Sequence, residues 1–505
     1  TFTLTFDSPV YNIMESRMNR GPDCWIGGMC WFSPKHFLTQ FMPEHAGQAK
    51  IDQMMKEQDF AEFNDFWNQN TYSFFNPDSP CARAWCLEVY DSSATGIVKR
   101  NHFFWGFDPE GNQMPYLDGV QQFRMESRDV AVFRWFSGEH DIPATAAGAL
   151  TEVPLYVQNM EAGDYSVYHW PSFGGNDLGW AFNGTWNEDP YLGQILRTQD
   201  FRIAMSYALD RPEINDALFL SLGSIQNFVP RPDNPYYPGD DIRDLHLARD
   251  VAKANQLLDS IGLNQRDDEG YRLRPDGDRF SLEMNNTNPH SIKAAELIGQ
   301  QLQDVGIEFT VNNSRPGIRQ NDDYTSFSGS AYQYNPWMLD NTHLAPLGTI
   351  FYGGVLIGIW HESKGREGMA PGPDPSFLPL APPENFAADP SGNIKRLADL
   401  WFGGRQHPQF SPGRSEAGKE IYRINAEEKY ISGTVAFTGI ARGVAVKRNN
   451  MRNVPKTHIR DHFGFMAWNY AFEDGQDNLN NPGNRSKKYR SVSFFDPDFF
   501  FSDEK

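Results

Sequence analysis

The sequence predicts an α/β protein made of more than one packing unit, and three observations predict it. The chain has 505 residues, more than one hydrophobic core organises at about 100–200 residues per domain. Residues 248–311 read in turn as helix, hairpin, helix, glycine and strand, the order of an α/β layer. Up to about residue 195, short strand-like runs alternate with turn clusters such as Asn76-Pro77-Asp78-Ser79-Pro80, Asp108-Pro109-Glu110-Gly111-Asn112 and Gly174-Gly175-Asn176-Asp177.

Each element has its own signal. Phe2, Leu4 and Phe6 alternate with threonines, which reads as a half-buried strand. No basic-then-apolar leader precedes Thr1, so the chain reads as cut from something longer. Phe201, Ala204, Met205, Ala208 and Leu209 recur at helical spacing, and Asp210-Arg211-Pro212 breaks that helix before a second begins at Glu213. Ala248–Ile261 is a helix with Val251, Ala254, Leu257 and Leu258 on its face and Gly262 as its stop. A hairpin-like stretch spans Gly270–Phe280. The helix Ile292–Val305 then carries Ala295, Ile298 and Leu302, Gly306 ends it, and Ile307, Phe309 and Val311 alternate as a strand. Tyr352–Trp360 is oily, too short to span a bilayer, and reads as buried core. Residues 363–395, dense in proline, read as a surface excursion. Arg414–Lys429 is helical and Ile431–Val446 reads as strand.

Composition narrows the function. The charge sum is −20, whereas phosphate backbones and anionic membranes both need clustered Lys and Arg. Nucleic acid is therefore not an expected partner. The four cysteines form two local pairs, Cys24/Cys30 and Cys81/Cys86, with neither CxxC spacing nor accompanying histidines. Two small disulfides or four buried thiols both fit this pattern. There is no GxSxG, Walker, GxGxxG or HExxH motif, and His361-Glu362 fails as a zinc helix because Gly365 stands where the second histidine belongs. Adjacent carboxylates such as Asp240/Asp241, Asp267/Asp268 and Asp322/Asp323 read as solvated surface. No catalytic residue, metal ligand or cofactor is expected.

Two runs instead combine rings with amides. Trp180-Ala181-Phe182-Asn183-Gly184-Thr185-Trp186 holds two indoles and an Asn, and Tyr332–Asn341 is denser still. Rings supply apolar area while Asn, Gln and Asp orient a solute by hydrogen bonding. Ordinary core packing is the competing explanation. The expected ligand contacts are Trp180, Asn183, Tyr334, Trp337, Asp340 and Asn341.

Several segments, in colinear order, resemble the type 5 extracellular solute-binding proteins that serve ABC importers of peptides, nickel and some oligosaccharides. They are Ser33–Leu38, Val98–Phe107, Pro109–Val120 with Gly111-Asn112-Gln113 and Pro115-Tyr116, and Ser137–Asp141. The most diagnostic is Asp200–Arg211. Leu257-Leu258, Gly262-Leu263, Asp276-Gly277 and Val305-Gly306-Ile307 follow, then His361–Pro371 and Asn449–Pro455, which resemble a long-chain branch.

The resemblance implies a two-lobed, periplasmic-binding-protein-like (type II) α/β fold with a hinge between its lobes. Lobe I would be residues 1–195 with a return over 437–505, and lobe II residues 196–436. It also implies a missing first part of lobe I, because family members carry a stretch before the segment that Thr1–Phe6 resembles. The implied function is non-enzymatic: a monomeric, periplasmic or extracytoplasmic protein captures a small solute, oligosaccharide or oligopeptide, and delivers it to a membrane ABC permease. In peptide-binding relatives an Asp in a Trp-containing loop holds the peptide amino terminus, and Asp340 after Trp337 is the nearest match. In an exported chain both cysteine pairs are expected as disulfides. The rival reading is a secreted carbohydrate-active hydrolase, which needs two carboxylates about 5–10 Å apart.

Overall fold

The structure, a computed structural model, describes residues 5, 34–72, 75–91, 95–123, 125–141, 153–169, 176–317, 322–328, 344–346, 351, 353–358, 392–436, 444–454 and 470–472. They gather into two units, one of residue 5 and 176–436, the other of 34–169 with 444–454 and 470–472.

After short helical turns over residues 35–46, the smaller unit has two amphipathic helices, α1 (Gln48–Glu57) and α2 (Phe63–Thr71). Ile51 and Phe66 point inward and, with Phe41, form the centre of a small apolar cluster. The Phe41 and Phe66 rings meet edge to face at 6.1 Å, the favoured geometry for quadrupolar rings. Strands β1 (Trp85–Tyr90), β2 (Thr95–Arg100) and β3 (Gly119–Phe123) follow as an antiparallel sheet in that order. A register shift between Leu87 and Val89 bends the edge strand β1. Ser127 caps α3 (Arg128–Phe136) by accepting from the Val130 amide. Strand β4 (Tyr165–His169) pairs antiparallel with a strand from the far end of the sequence, Val444–Arg448, so residues almost 280 apart close this unit.

The larger unit is built around β5 (Gly179–Phe182), buried along its whole length. Helix α4 (Pro190–Arg197) starts where the Asp189 carboxylate accepts from the Tyr191 and Leu192 amides, with Pro190 in the first turn. Helices α5 (Gln199–Ala208) and α6 (Arg211–Phe219) are separated at Leu209-Asp210. There Asp210 caps the second helix through the Glu213 amide. A short strand β6 (Ser224–Ile225) and helix α7 (Val251–Ser260), capped by Asp250, come next. Gly262 takes φ +94° just beyond α7, as a helix stop requires.

Strand β7 (Ser281–Asn285), helix α8 (Pro289–Gln303) and strand β8 (Glu308–Asn312) form a parallel βαβ unit. Gly306, at φ +73°, makes the turn between helix and strand, and a Cβ there would lie 2.6 Å from the Gly270 carbonyl oxygen. Strand β9 (Thr325–Ser328) precedes helices α9 (Asn393–Gly404) and α10 (Pro412–Glu428). These two pack together over a core that includes Phe228, Tyr236, Phe351, Ile421 and Tyr422.

Two expectations change. Residues 431–446 do not form one strand: β10 (Ile431–Ser432) pairs with β5, β11 (Val435–Ala436) pairs with β6, and Val444–Arg448 belongs to the other unit as β12. Residues 393–395 begin α9, so the proline-rich stretch is shorter than expected, and its 363–391 portion lies outside the described residues. Residues 176–195 pack in the larger unit, where β5 is the middle strand of a β10-β5-β9 sheet. Thr1–Phe6 lies outside the described residues apart from Thr5.

Candidate functional site

The β10-β5-β9 sheet holds the first of the two aromatic-amide runs. Trp180 lies opposite Phe327 on β9 and Ser432 on β10. Its ring packs against Phe182 at 4.7 Å and edge-on to Phe309 at 5.9 Å, and Phe182 continues through Phe201 to Phe280. Trp180 has 0% exposure, and its indole Nε1 has no acceptor among the described residues. This ring is a core residue of the larger unit.

Asn183 follows directly and is also fully buried. Its Nδ2 donates to the Asp323 carbonyl at 3.2 Å. Its Oδ1 accepts from the Thr185 amide (3.1 Å), the Thr185 hydroxyl (2.8 Å) and the Val355 amide (3.2 Å). The Thr185 hydroxyl oxygen in turn accepts from the Leu356 amide at 3.1 Å. One amide side chain therefore ties together three segments distant in sequence. The close approach needs Gly184, where a Cβ would sit 2.6 Å from the Gly353 carbonyl oxygen. Beside this knot Trp186 donates its indole N–H to the Asp322 carbonyl at 3.1 Å, and its ring lies 4.7 Å from that of Tyr324. Burial pushes the Tyr324 phenol above its ordinary range, although its oxygen accepts from the Glu283 amide at 2.6 Å.

Tyr334, Trp337, Asp340 and Asn341 lie outside the described residues. The segments on either side of them are described. β9 ends at Ser328, paired with Gly179, and the chain is in the core again at Leu344 and Ala345, where Asn425 Nδ2 donates to the Leu344 carbonyl at 2.8 Å. The described segments on either side of the second run thus lie in the unit that contains Trp180 and Asn183. The structure brings Trp180 and Asn183 together as core, beside β9.

Sequence reasoning missed a buried cationic network beneath the same sheet. Arg202 pairs with Glu428 at 3.0 Å with both side chains buried. Arg211 spends its donors on the Gly433, Ser206 and Leu247 carbonyls and on the Ser206 and Ser432 hydroxyls, and burial pushes its pKa down to about 9. Lys429 Nζ donates to Asn227 Oδ1 at 2.5 Å and to the Leu245 carbonyl at 2.7 Å. Burial, helped by the Arg211 charge, holds Lys429 well below the usual lysine range. These cations lie on amphipathic helices and at a helix end, where a one-letter pattern reads them as surface. An open groove of about 540 Å³ between α9 and α10 is lined by Arg396, Leu400, His407, Glu416 and Glu420 among others, and by none of the expected ligand contacts. In the smaller unit Cys81 and Cys86 are joined by a disulfide, while Cys24 and Cys30 lie outside the described residues.

Residues 54–353 match the bacterial extracellular solute-binding proteins, family 5 Middle. The chain belongs to this family. The periplasmic alpha-galactoside-binding protein of Rhizobium meliloti (strain 1021) is 24% identical over a 307-residue alignment that covers 55% of this chain and 39% of that protein. The match therefore spans about two fifths of that relative's length. Among solved structures, the oligopeptide-binding protein OppA superposes with a TM-score of 0.62 at 24% identity, covering 93% of this chain and 73% of that one. The periplasmic binding protein MelB from Agrobacterium fabrum C58, in complex with stachyose, gives 0.57 at 18% identity, covering 84% and 59%. The fold is the type II fold of family 5 binding proteins, with mixed helix and strand as the sequence predicts.

Proposed function

We propose that this family 5 chain captures an oligosaccharide of the α-galactoside class outside the cytoplasm and delivers it, unaltered, to an ABC permease. The observation that carries this reading is a convergence of relatives. The curated relative is named for alpha-galactosides, and MelB holds stachyose, itself an α-galactoside. The solute would lie between two lobes, against Tyr334, Trp337, Asp340 and Asn341. Sugar CH faces stack on such rings while amides and carboxylates take the hydroxyls. Trp180 and Asn183 would serve that site from behind, by fixing the sheet from which the run departs. Lobe closure would follow from contacts that only the closed state makes with ligand.

An oligopeptide is the second reading, supported by the OppA likeness over 93% of the chain. The hydrolase alternative gains nothing, since the family is one of solute-binding proteins. Calorimetry with stachyose, raffinose and a mixed oligopeptide pool, followed by mass spectrometry of the recovered ligand, tests the proposal. Saturable binding of intact stachyose is the expected result. Binding confined to peptides overturns the ligand class, and released monosaccharide overturns the non-enzymatic reading.

A further inference from the structure

Among the described residues no carboxylate pairs with the buried cations Arg211 and Lys429; carbonyls, hydroxyls and one side-chain amide hold them. Three consecutive carbonyls of a single turn take part. Leu245 O accepts from Lys429 Nζ at 2.7 Å and from Asn227 Nδ2 at 2.9 Å. His246 O accepts from the Ser206 hydroxyl at 2.8 Å, and Leu247 O from Arg211 Nη1 at 2.7 Å. His246 takes φ +58° in this turn, a left-handed conformation uncommon outside glycine and best tolerated by Asn, Asp and His. In that conformation the turn reaches donors on α5, on α6 and just beyond α10. Arg211 also holds the Gly433 carbonyl and the Ser432 hydroxyl, so the same cluster fixes the crossover from β10 to β11.

His246 also brings an imidazole to this cluster, a group that ordinarily titrates near pH 6.5. Its Nδ1 lies 2.6 Å from the Tyr207 hydroxyl, and the two rings meet edge to face at 5.3 Å. Burial, then the Lys429 charge, favours the neutral ring. Burial, with Asp250 nearby, keeps the Tyr207 phenol protonated. Tyr207 is therefore the donor and Nδ1 the acceptor. The other charges of the surrounding elements have partners of their own. Asp244 pairs with Arg243, Arg249 with Asp210 and Asp304, and Glu428 with Arg202, while Asp250 caps α7 through the Lys253 amide.

A proton arriving on Nδ1 turns that acceptor into a donor. The Tyr207 O–H must then swing away, and a third positive charge enters a cluster in which neutral groups already offset two. We propose that His246 is an acid-sensitive latch of the larger unit: its neutral ring holds the 245–247 turn against Arg211 and Lys429, and its protonation loosens that turn together with the β10–β11 crossover, whichever solute the protein binds. The sign follows from linkage. The unfolded chain accepts the proton near pH 6.5, whereas the folded chain resists it. Stability is thus fully present above about pH 6.5 and is lost as pH falls from there through the depressed folded value.

Denaturant unfolding of the full chain between about pH 8 and pH 5, beside His246→Asn, tests this. Asn sets an oxygen near the position of Nδ1, tolerates the left-handed backbone and does not titrate. Below about pH 6.5 the wild type should lose up to about tenfold in its folding equilibrium per pH unit beyond what His246→Asn loses. His102, His140 and His290, also held down by burial, are present in both proteins, so the difference belongs to His246. Tyr207→Phe removes the donor that favours the neutral ring and should shrink the wild-type acid loss. Hydrogen exchange, corrected for the intrinsic rate, places the effect: amides of 429–436 and 224–229 should lose protection in acid in the wild type and keep it in His246→Asn. Parallel pH profiles for wild type and His246→Asn overturn the proposal, as does an acid loss of protection confined to other segments. Should His246→Asn not fold, a Tyr207→Phe profile identical to that of the wild type overturns it equally.

Discussion

Among the described residues the Trp180 indole N–H has no acceptor, and its strand is buried along its whole length, so ring packing is what holds it there. Trp180→Phe should therefore be mild, because it retains most ring contacts and removes an unsatisfied donor. Trp180→Ala opens a cavity and should cost about 3–5 kcal/mol. Melting curves for the pair check this; if Trp180→Phe is stable but loses solute affinity, the indole contacts ligand after all. Lys429 makes a second case, with a pH dependence of definite sign. Its folded pKa lies below the unfolded value of about 10.4. The unfolded chain therefore binds more protons over that interval, and stability rises with pH there. The penalty for the buried charge grows as pH falls from about 10.4 through the depressed folded value. Lys429→Met should flatten that slope, and thermal midpoints measured from neutral to alkaline pH read it. Equal slopes in wild type and variant would mean that Lys429 titrates normally.

At the scale of elements, the legible parts were those written in local pattern. The helices around 201–219, 251–260 and 289–303 have apolar faces at helical spacing, with Asp210, Asp250 and Asn288 as caps. The glycine at 306 and the strand after it also read directly. The 431–436 region did not, because its break depends on what it packs against. Gly433 lies where a Cβ would be 2.4 Å from the Gln226 carbonyl oxygen and 2.5 Å from Asn227 backbone atoms. That contact lets the chain leave β5 as β10 and join β6 as β11. Gly433→Ala must push backbone apart in the middle of this crossover and should destabilise by about 2–3 kcal/mol. Denaturant titration of the variant measures it, and a change below about 0.5 kcal/mol, the range of ordinary surface substitutions, would show that the crossover yields freely. The aromatic-amide run at 180–186 was legible as special but not as core. Composition suits both a solute site and a buried knot, and only the pairing of Asn183 with residues 323 and 355 separates them.

For the whole molecule, Trp180 and Asn183 lie in the larger unit. They share it with the described segments on either side of 329–343, Thr325–Ser328 and residues 344–346. This sharpens what Trp337 should do. If it offers the stacking face for a sugar, Trp337→Ala should weaken stachyose binding by about 1–3 kcal/mol, the size of an aromatic anchor. Its melting temperature should fall less than that of Trp180→Ala, which removes a core ring. Ligand-driven closure adds a global readout. Saturating stachyose should reduce the radius of gyration of the wild type in solution scattering, because closure is favoured only by differential contact with ligand. Trp337→Ala should need proportionally more stachyose to reach the same compact state, while its unliganded scattering matches the wild type. Unfolding of Trp337→Ala with normal affinity in the folded remainder would place Trp337 in the core beside Trp180.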